Sequence, residues 1–519
     1  MGLFLLSLLV LTGLVTPAAA GNAAEGLGCL AVYDLECARA ASEGSGDAAA
    51  LLRAKIKFHD GDFVAAEREM SALAPSHEGD ERFEHELAHY RATAAATEGF
   101  DTATRGDIQL RYQPGTDQIL IEEALSTLDA ARSRIGTMLG GAPPGGVRME
   151  IYPTADRFTL ASGLPRSAVM TTGVVALSKW TRLLVTSPKA LGRGYAWKDT
   201  VAHEYIHYVV AWRTRDQAPV WLQEGIARSY ESLWRDTEFA PLAPNQQALL
   251  ARALASDSLV PLERMHPSMA FLDSADEAAL AFAQVSTMMQ HLHRTAGPDA
   301  VSRVLDRVRD GKDALEAVSE VAGMSPDQFM ASWRAGLAAM DLVARKLGAL
   351  PTVLDPTDDY GLDPLLAARA DLAGFARLGD LLLEKNRPQA ALIEYRKAVP
   401  ADEPPSPVLS AHMAQAWIAT GGHAEARQVL EASVLDYPEF ALTRKTLGAL
   451  LQAVGQLDAA LLQYRASADI NPFDPEVQAA LADLYSVRGE KQLAELHQRN
   501  RRILMSGGFD RGAEAEHVR

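Results

Sequence analysis

The sequence predicts an α+β protein in three parts: a helical N-terminal segment, a central domain of helices on a small sheet, and an all-α C-terminal solenoid. Three observations predict it. Between Asp107 and Thr186, strand-like alternation and helical periodicity succeed one another, the mixed order of a small sheet packed against helices. From Asp199 to Tyr230, DTVAHEYIHYVVAWRTRDQAPVWLQEGIARSY, the spacing turns helical and brings histidines and glutamates together. Beyond residue 370, small residues keep a fixed register: Gly379, Ala414, Gly448 and Ala482 recur at 35, 34 and 34 residues, and Ala391, Ala426, Ala460 and Ala494 at the same intervals.

A chain of 519 residues is too long for one core and divides into several domains. Its 48% apolar and 23% charged residues are those of an ordinary globular protein. The formal net charge of -17 excludes a phosphate-backbone partner, so no nucleic acid is expected.

Residues 1–20, MGLFLLSLLVLTGLVTPAAA, are an apolar run closed by small residues, the pattern of a signal peptide, with the mature chain beginning near Gly21. No Lys or Arg stands before Arg39, which leaves an uncleaved membrane anchor as the other reading. Either places the protein outside the cytoplasm, periplasmic or secreted. The two cysteines, Cys29 and Cys37, are either reduced and buried or paired. On one straight helix they would stand about 12 Å apart, so pairing requires a turn between them, near Tyr33-Asp34.

Residues 21–104 read as helical. Asp47 to Ala74 forms a helical hairpin about Asp60-Gly61-Asp62, like a single 34-residue-type repeat, and Glu81 to Thr97 adds a helix. The central domain covers residues 105–340. Ile108, Leu110 and Tyr112 alternate as in a strand, Ile119 to Leu139 is helical, the Gly140–Gly146 cluster breaks the helix, and Val147 to Tyr152 resumes as a strand. Gly173 to Leu177 and Arg182 to Thr186 make a hairpin around Ser178-Lys179. After Tyr230 the chain is helical to about Met340.

Within the central stretch, His203, Glu204 and His207 form H-E-x-x-H, and Glu224 follows His207 by seventeen residues inside W-L-Q-E-G-I-A. If Thr200 to Trp212 is a helix, two histidines four apart share one face and reach one metal ion. Zinc takes imidazole nitrogens and a carboxylate and, in a catalytic site, leaves a fourth position to water. His203, His207 and Glu224 are the expected ligands, and Glu204, beside the metal, is placed to take a proton from that water. Gly225 and Ala227 are expected to let the second helix approach the first. Asp199 either orients the His203 imidazole or favours the helix N-terminus.

H-E-x-x-H with W-L-x-E-G-x-A resembles the peptidase MA-like domains of the gluzincin metallopeptidases, relatives of thermolysin. The resemblance implies His203, His207 and Glu224 as zinc ligands and Glu204 as general base. It also implies a strand along the cleft that pairs with extended substrate. Arg182 to Thr186 is either that strand or an ordinary interior one. AFAQVSTMMQHLH from Ala281 and MSPDQFMASWRAGL from Met324 resemble the closing helices of such domains, with Phe282 where relatives often carry tyrosine. A donor for the oxyanion is sought among Tyr208, Tyr230, His266, His291 and His293, which spacing does not rank.

Residues 341–370, with Pro351, Pro356 and Pro364, read as a linker. The register over residues 371–505 is that of about four tetratricopeptide repeats, whose helices cross at small residues and whose concave face receives a protein or peptide. Residues 506–519 are an expected disordered tail. The whole reads as an exported zinc peptidase with repeats that gather a peptide or protein. The other reading is a non-catalytic assembly scaffold in which the metal only stabilises the fold.

Overall fold

Five short strands, the inner ones covered on both faces, set the layering at the centre of the protein. The computed structural model describes residues 17–507 apart from 33, 180, 267–268, 270–271, 344–346, 349, 351–353, 358–362 and 368. Most of the expected signal peptide, much of the expected linker and the tail from 508 lie outside the described residues. Helices dominate, with one mixed five-stranded sheet.

The N-terminal helices are α1 (Pro17–Ala31), α2 (Leu35–Ala41), α3 (Asp47–His59), α4 (Phe63–Leu73) and α5 (Glu81–Ala96). Cys29 and Cys37 are joined in a disulfide, with Cα atoms 5.8 Å apart. The turn that this requires is present: Asp34 donates its backbone N–H to the Cys29 carbonyl and caps α2 by accepting from the N–H of Cys37. The hairpin α3–α4 turns at residues 60–62 as the sequence indicated, around Gly61 at φ +83°.

The sheet consists of β1 (Asp101–Arg105), β2 (Ile108–Tyr112), β3 (Val147–Tyr152), β4 (Ala176–Lys179) and β5 (Arg182–Thr186), in the order β1-β2-β3-β5-β4. The β2–β3 and β3–β5 pairs are parallel, and the two outer pairs are antiparallel. Strand β1 was not expected. Its sequence, Asp-Thr-Ala-Thr-Arg, has no apolar face because it is a short edge strand with mostly solvent-facing residues. Arg182–Thr186 lies between β3 and β4 and is buried at every position. It is therefore the interior strand of the two readings, and β4 is the edge.

Period-two alternation assigns the two faces of the sheet. Met149, Ile151, Leu183 and Val185 join the main core with α6 (Ile121–Ala131) and α9 (Trp197–Thr214). Tyr152 and Leu184 face the opposite layer, packed with Phe158 of α7 (Ala155–Ser162) and Val169 of α8 (Arg166–Thr172). The central domain continues through α10 (Val220–Tyr230), α11 (Pro244–Ala255), α12 (Ala275–Ala296), α13 (Ala300–Arg309), α14 (Ala314–Val321) and α15 (Pro326–Ala338). Among the described residues, no helix is long and apolar enough to cross a membrane.

Four helical pairs follow: α16 (Ala370–Glu384) with α17 (Pro388–Ala398), α18 (Pro407–Ala419) with α19 (His423–Asp436), α20 (Ala441–Ala453) with α21 (Leu457–Ile470), and α22 (Pro475–Val487) with α23 (Lys491–Ser506). The small residues fall where the helices of a pair cross. A Cβ on Gly379 would stand 2.3 Å from the Tyr395 ring, and one on Gly448 would stand 3.2 Å from the Tyr464 ring. Ala391, Ala426 and Ala460 are fully buried.

A buried ion pair between β3 and β5 also reaches the N-terminal hairpin. Arg182 and Glu150 have side chains 0% and 1% exposed, with Nη1 and Oε2 3.3 Å apart. The Arg182 guanidinium also lies over the rings of Phe58 and Phe63, 4.9 and 4.5 Å from their centroids. Removing one partner takes the facing opposite charge away from a group that stays buried. Glu150→Leu is expected to lower unfolding stability by about 3–5 kcal/mol. The double variant Glu150→Leu/Arg182→Met should recover much of that loss, and equilibrium denaturation of the single and double variants measures both.

Candidate metal centre

Helix α9 carries two different faces through the core. Val201, Ala202, Tyr205, Ile206, Val209 and Val210 are buried in the main cluster, so the apolar stripe fixes the rotation of the helix. His203 and His207, one turn apart, lie on its flank. Helix α10 starts at Pro219, whose extended backbone sets the N-cap, and buries Leu222 and Ile226. Glu224 lies between these two on the sequence and therefore off their stripe, directed at the histidines.

Gly225 acts differently from the expectation. A Cβ there would lie 2.9 Å from the Val285 carbonyl oxygen and 3.1 Å from Met289. The closest approach that it permits is therefore between α10 and α12.

The three expected ligands converge. His203 Nε2 and His207 Nε2 are 3.0 Å apart, and the Glu224 oxygens lie 3.5 Å from the first and 3.6 Å from the second. Ligand atoms held roughly 2.1 Å from a tetrahedral zinc stand about 3.4 Å from one another, so the donor set fits such an ion. Among the described residues this is the one group of three or more potential ligands, and it contains no fourth His, Cys, Asp or Glu.

The groups around the ligands fix their orientation. His203 Nδ1 lies 2.8 Å from Glu231 Oε2, leaving Nε2 to point at the metal position; a carboxylate on the far ring nitrogen fixes the tautomer and raises ligand basicity. The Gln223 side chain accepts a hydrogen bond from His207. Asp199 does not touch His203. It accepts hydrogen bonds from Trp234 Nε1 at 2.8 Å and from Arg235, in the first turn of α9.

Electrostatics separates the two glutamates. Burial pushes Glu204 up to about 7, with the negative charge of Glu224 adding to it, while His203, Arg228 and a hydrogen bond from the Ser178 backbone N–H pull the other way. Glu224 is held at about 2: burial opposes its charge, and His207 and His203 outweigh it. Burial brings His207 down to about 4. For His203, burial and Arg228 oppose the charge, but hydrogen bonds to Glu224 and Glu231 raise it to about 9. The surroundings thus hold Glu224 ionised and bring Glu204 close to neutrality.

Residues 130–339 match the Peptidase MA superfamily. The Peptidase MA segment begins at the end of α6 and runs to the end of α15, taking in β3 to β5 and both metal helices, with the repeat array beyond it. No curated protein matches the chain. Solved structures with some likeness include native yeast LTA4 hydrolase (11% identity, 78% of this chain and 66% of that one, TM-score 0.28) and the APC/C hetero-tetramer Cut9-Hcn1 (14% identity, 94% of each chain, TM-score 0.25). A third is MamA, with 16% identity over 28% of this chain and 85% of that one and a TM-score of 0.24. At such TM-scores these likenesses carry no argument for the Peptidase MA domain or the repeats.

Four of the five residues considered as oxyanion donors are engaged elsewhere. Tyr230 and His293 share a hydrogen bond of 2.9 Å, His291 bonds Ser332 at 3.1 Å, and Tyr208 faces the Gly146 carbonyl at 3.5 Å. His266 is exposed. The residues that do border the site were not singled out from the sequence: Glu231, Ser178 on the edge strand, and Arg228, whose guanidinium is 3.5 Å from Glu231 and 5.3 Å from the Phe282 ring centroid. Glu231 stands seven residues after Glu224 on the sequence, and two helical turns was the signal that could have found it. Glu231→Gln is expected to weaken metal binding about 10- to 100-fold, measured by competition with a chromophoric chelator, with a larger loss for His203→Ala.

Proposed function

We propose that this protein is an exported zinc metallopeptidase. One observation carries the reading: His203, His207 and Glu224 converge at tetrahedral spacing with Glu204 beside them and no fourth side-chain ligand in the group. The Peptidase MA match supports it. Export is supported by the apolar N-terminal run and by the Cys29–Cys37 disulfide, a bond that persists in oxidising compartments.

When bound, zinc supplies a Lewis acid that polarises the scissile carbonyl and acidifies a water molecule. The chain's own residues do the rest. His203, His207 and Glu224 hold the ion, and Glu231 holds His203 in the tautomer that leaves Nε2 free. Glu204 takes the proton of the attacking water at its carboxylate and delivers it to the leaving amine. The Ser178 N–H, donated to Glu204, keeps that carboxylate beside the end of β4. Strand β4 is a sheet edge next to Glu204, suited to pairing with an extended peptide backbone. The cleft strand is therefore assigned to Ala176–Lys179 in place of Arg182–Thr186.

The repeat array supplies a surface for a peptide or protein. Purified full-length chain is expected to carry close to one zinc and to hydrolyse unstructured peptides in a chelator-sensitive way. Glu204→Gln should keep the zinc and lose at least about 100-fold in kcat, the lower end of what general-base removal costs. Full activity in that variant would exclude the mechanism. Metal retained without hydrolysis in the wild type would favour the assembly scaffold.

A further inference from the structure

The metal helix begins without the local support that a helix start needs. The N-cap of α9 is Ala196, which makes no side-chain hydrogen bond to the N–H groups of the first turn, groups that have no partner inside the helix. Lys198, second in the helix, sets a cation at the positive end of the macrodipole. Asp199 carries the favourable sign, but Arg235 pairs with it. Left to itself, such a turn frays. His203 lies only five residues beyond Lys198, about 7.5 Å along the axis.

The repeat array supplies what the turn lacks. Tyr195 donates its backbone N–H to the Ile470 carbonyl at 3.0 Å and its hydroxyl to the Thr186 carbonyl at the end of β5. Gly192 is held from two sides, donating its N–H to the Asp355 carbonyl at 2.9 Å and accepting from Asn471 Nδ2 at 3.3 Å. Gly194 has φ +70°, and a Cβ on it would lie 2.2 Å from the Ile470 carbonyl oxygen. The Lys198 side chain is 14% exposed, and its ammonium lies between Glu123 of α6, at 3.3 Å, and Asp469 of α21. Two carboxylates, one from the central domain and one from the array, thus offset the helix dipole at this position. Phe473, Ile503 and Leu504 continue the contact, packed against the main core of the central domain. An exposed ion pair alone contributes little, but here backbone and apolar contacts hold both partners in place.

We propose that the repeat array is part of the framework of the metal centre and that Asp469 on it is a positioning residue, which through Lys198 holds the entry of α9 and so the first ligand. The inference rests on His203, His207 and Glu224 binding a metal and is independent of peptide hydrolysis. Coordination distances tolerate about 0.2 Å, so a turn that frays ahead of His203 lowers metal affinity although no ligand is touched. The coupling is reciprocal: a metal held by His203 tightens the docking of the array.

The test measures zinc affinity of the full-length chain by competition with a chromophoric chelator, at a temperature at which circular dichroism shows every variant folded. Backbone hydrogen exchange is followed over residues 192–203 and 469–473, with and without zinc. Asp469→Lys, which brings two ammonium groups together, and Gly194→Ala, which pushes the array away, should each weaken zinc binding about tenfold, the lower end of what loss of an outer support costs. Both should speed exchange in the two segments. Asp469→Glu, which keeps the charge, should keep the parent affinity. Zinc should slow exchange over 469–473 in the parent and not in His203→Ala. Faster exchange with parent-like zinc affinity, the result for a contact that only stabilises the fold, overturns the inference. Exchange unchanged in both variants overturns the claim that these contacts hold the array. Hydrolysis of unstructured peptides is followed in parallel: zinc bound and coupled to the array without hydrolysis sinks the peptidase reading alone, zinc affinity indifferent to the array sinks this inference alone, and a parent that binds no zinc sinks the metal reading and this inference with it.

Discussion

Gly225 has no side chain, and the carbonyl oxygen of Val285 occupies the neighbourhood where a Cβ would be. Helix α10 is thereby pressed onto α12 while Leu222 and Ile226 hold it in the main core. With both contacts made, the helix cannot roll, and Glu224 is left facing His203 and His207. A displacement of α10 by the width of a methyl group would move the third ligand by more than the tolerance of a coordination distance, about 0.2 Å. Packing between two helices that carry only one of the three candidate ligands thus decides whether the three can converge.

The same packing takes the site's charges partly out of water, and this produces chemistry from a common pair of residue types. Glu204 and Glu224 are identical side chains on neighbouring helices. Glu224 lies against two imidazoles and is held at about 2, whereas Glu204 is buried beside another carboxylate and rises to about 7. Environments that push two like groups apart are what the proposed ligand and the proposed proton carrier each require. Glu231 completes the arrangement, since its hydrogen bond to His203 decides which ring nitrogen faces the metal position.

Much of this was legible in the sequence, and the reasons differ by element. The H-E-x-x-H helix and the repeats were readable because each is a local pattern at the helical period, with small residues wherever Tyr395 or Tyr464 must cross. The strand Arg182–Thr186 was readable as a strand because it is a short apolar and β-branched run, but its place in the sheet was not, since strand order depends on long-range pairing. Strand β1 carries no apolar alternation and was missed for that reason. Asp199 and Glu231 are both acidic and both close to His203 on the sequence or in space. Only the path of the chain after α10, which brings Trp234 and Arg235 to Asp199, decides between them.

The docking of the array was illegible for a further reason. One of its contacts, Tyr195 N–H to the Ile470 carbonyl, uses backbone groups that every residue possesses, Asn471 donates its side-chain amide to the Gly192 backbone carbonyl, and Gly194 contributes by lacking an atom. Such an interface leaves almost no compositional trace. It nevertheless fixes geometry more firmly than surface ion pairs would, because backbone hydrogen bonds carry no side-chain freedom to be lost. The segment 192–198 therefore has two duties: it receives the end of α21, and it launches the helix that carries His203, Glu204 and His207. Any force on the repeats is delivered within two helical turns of the first ligand.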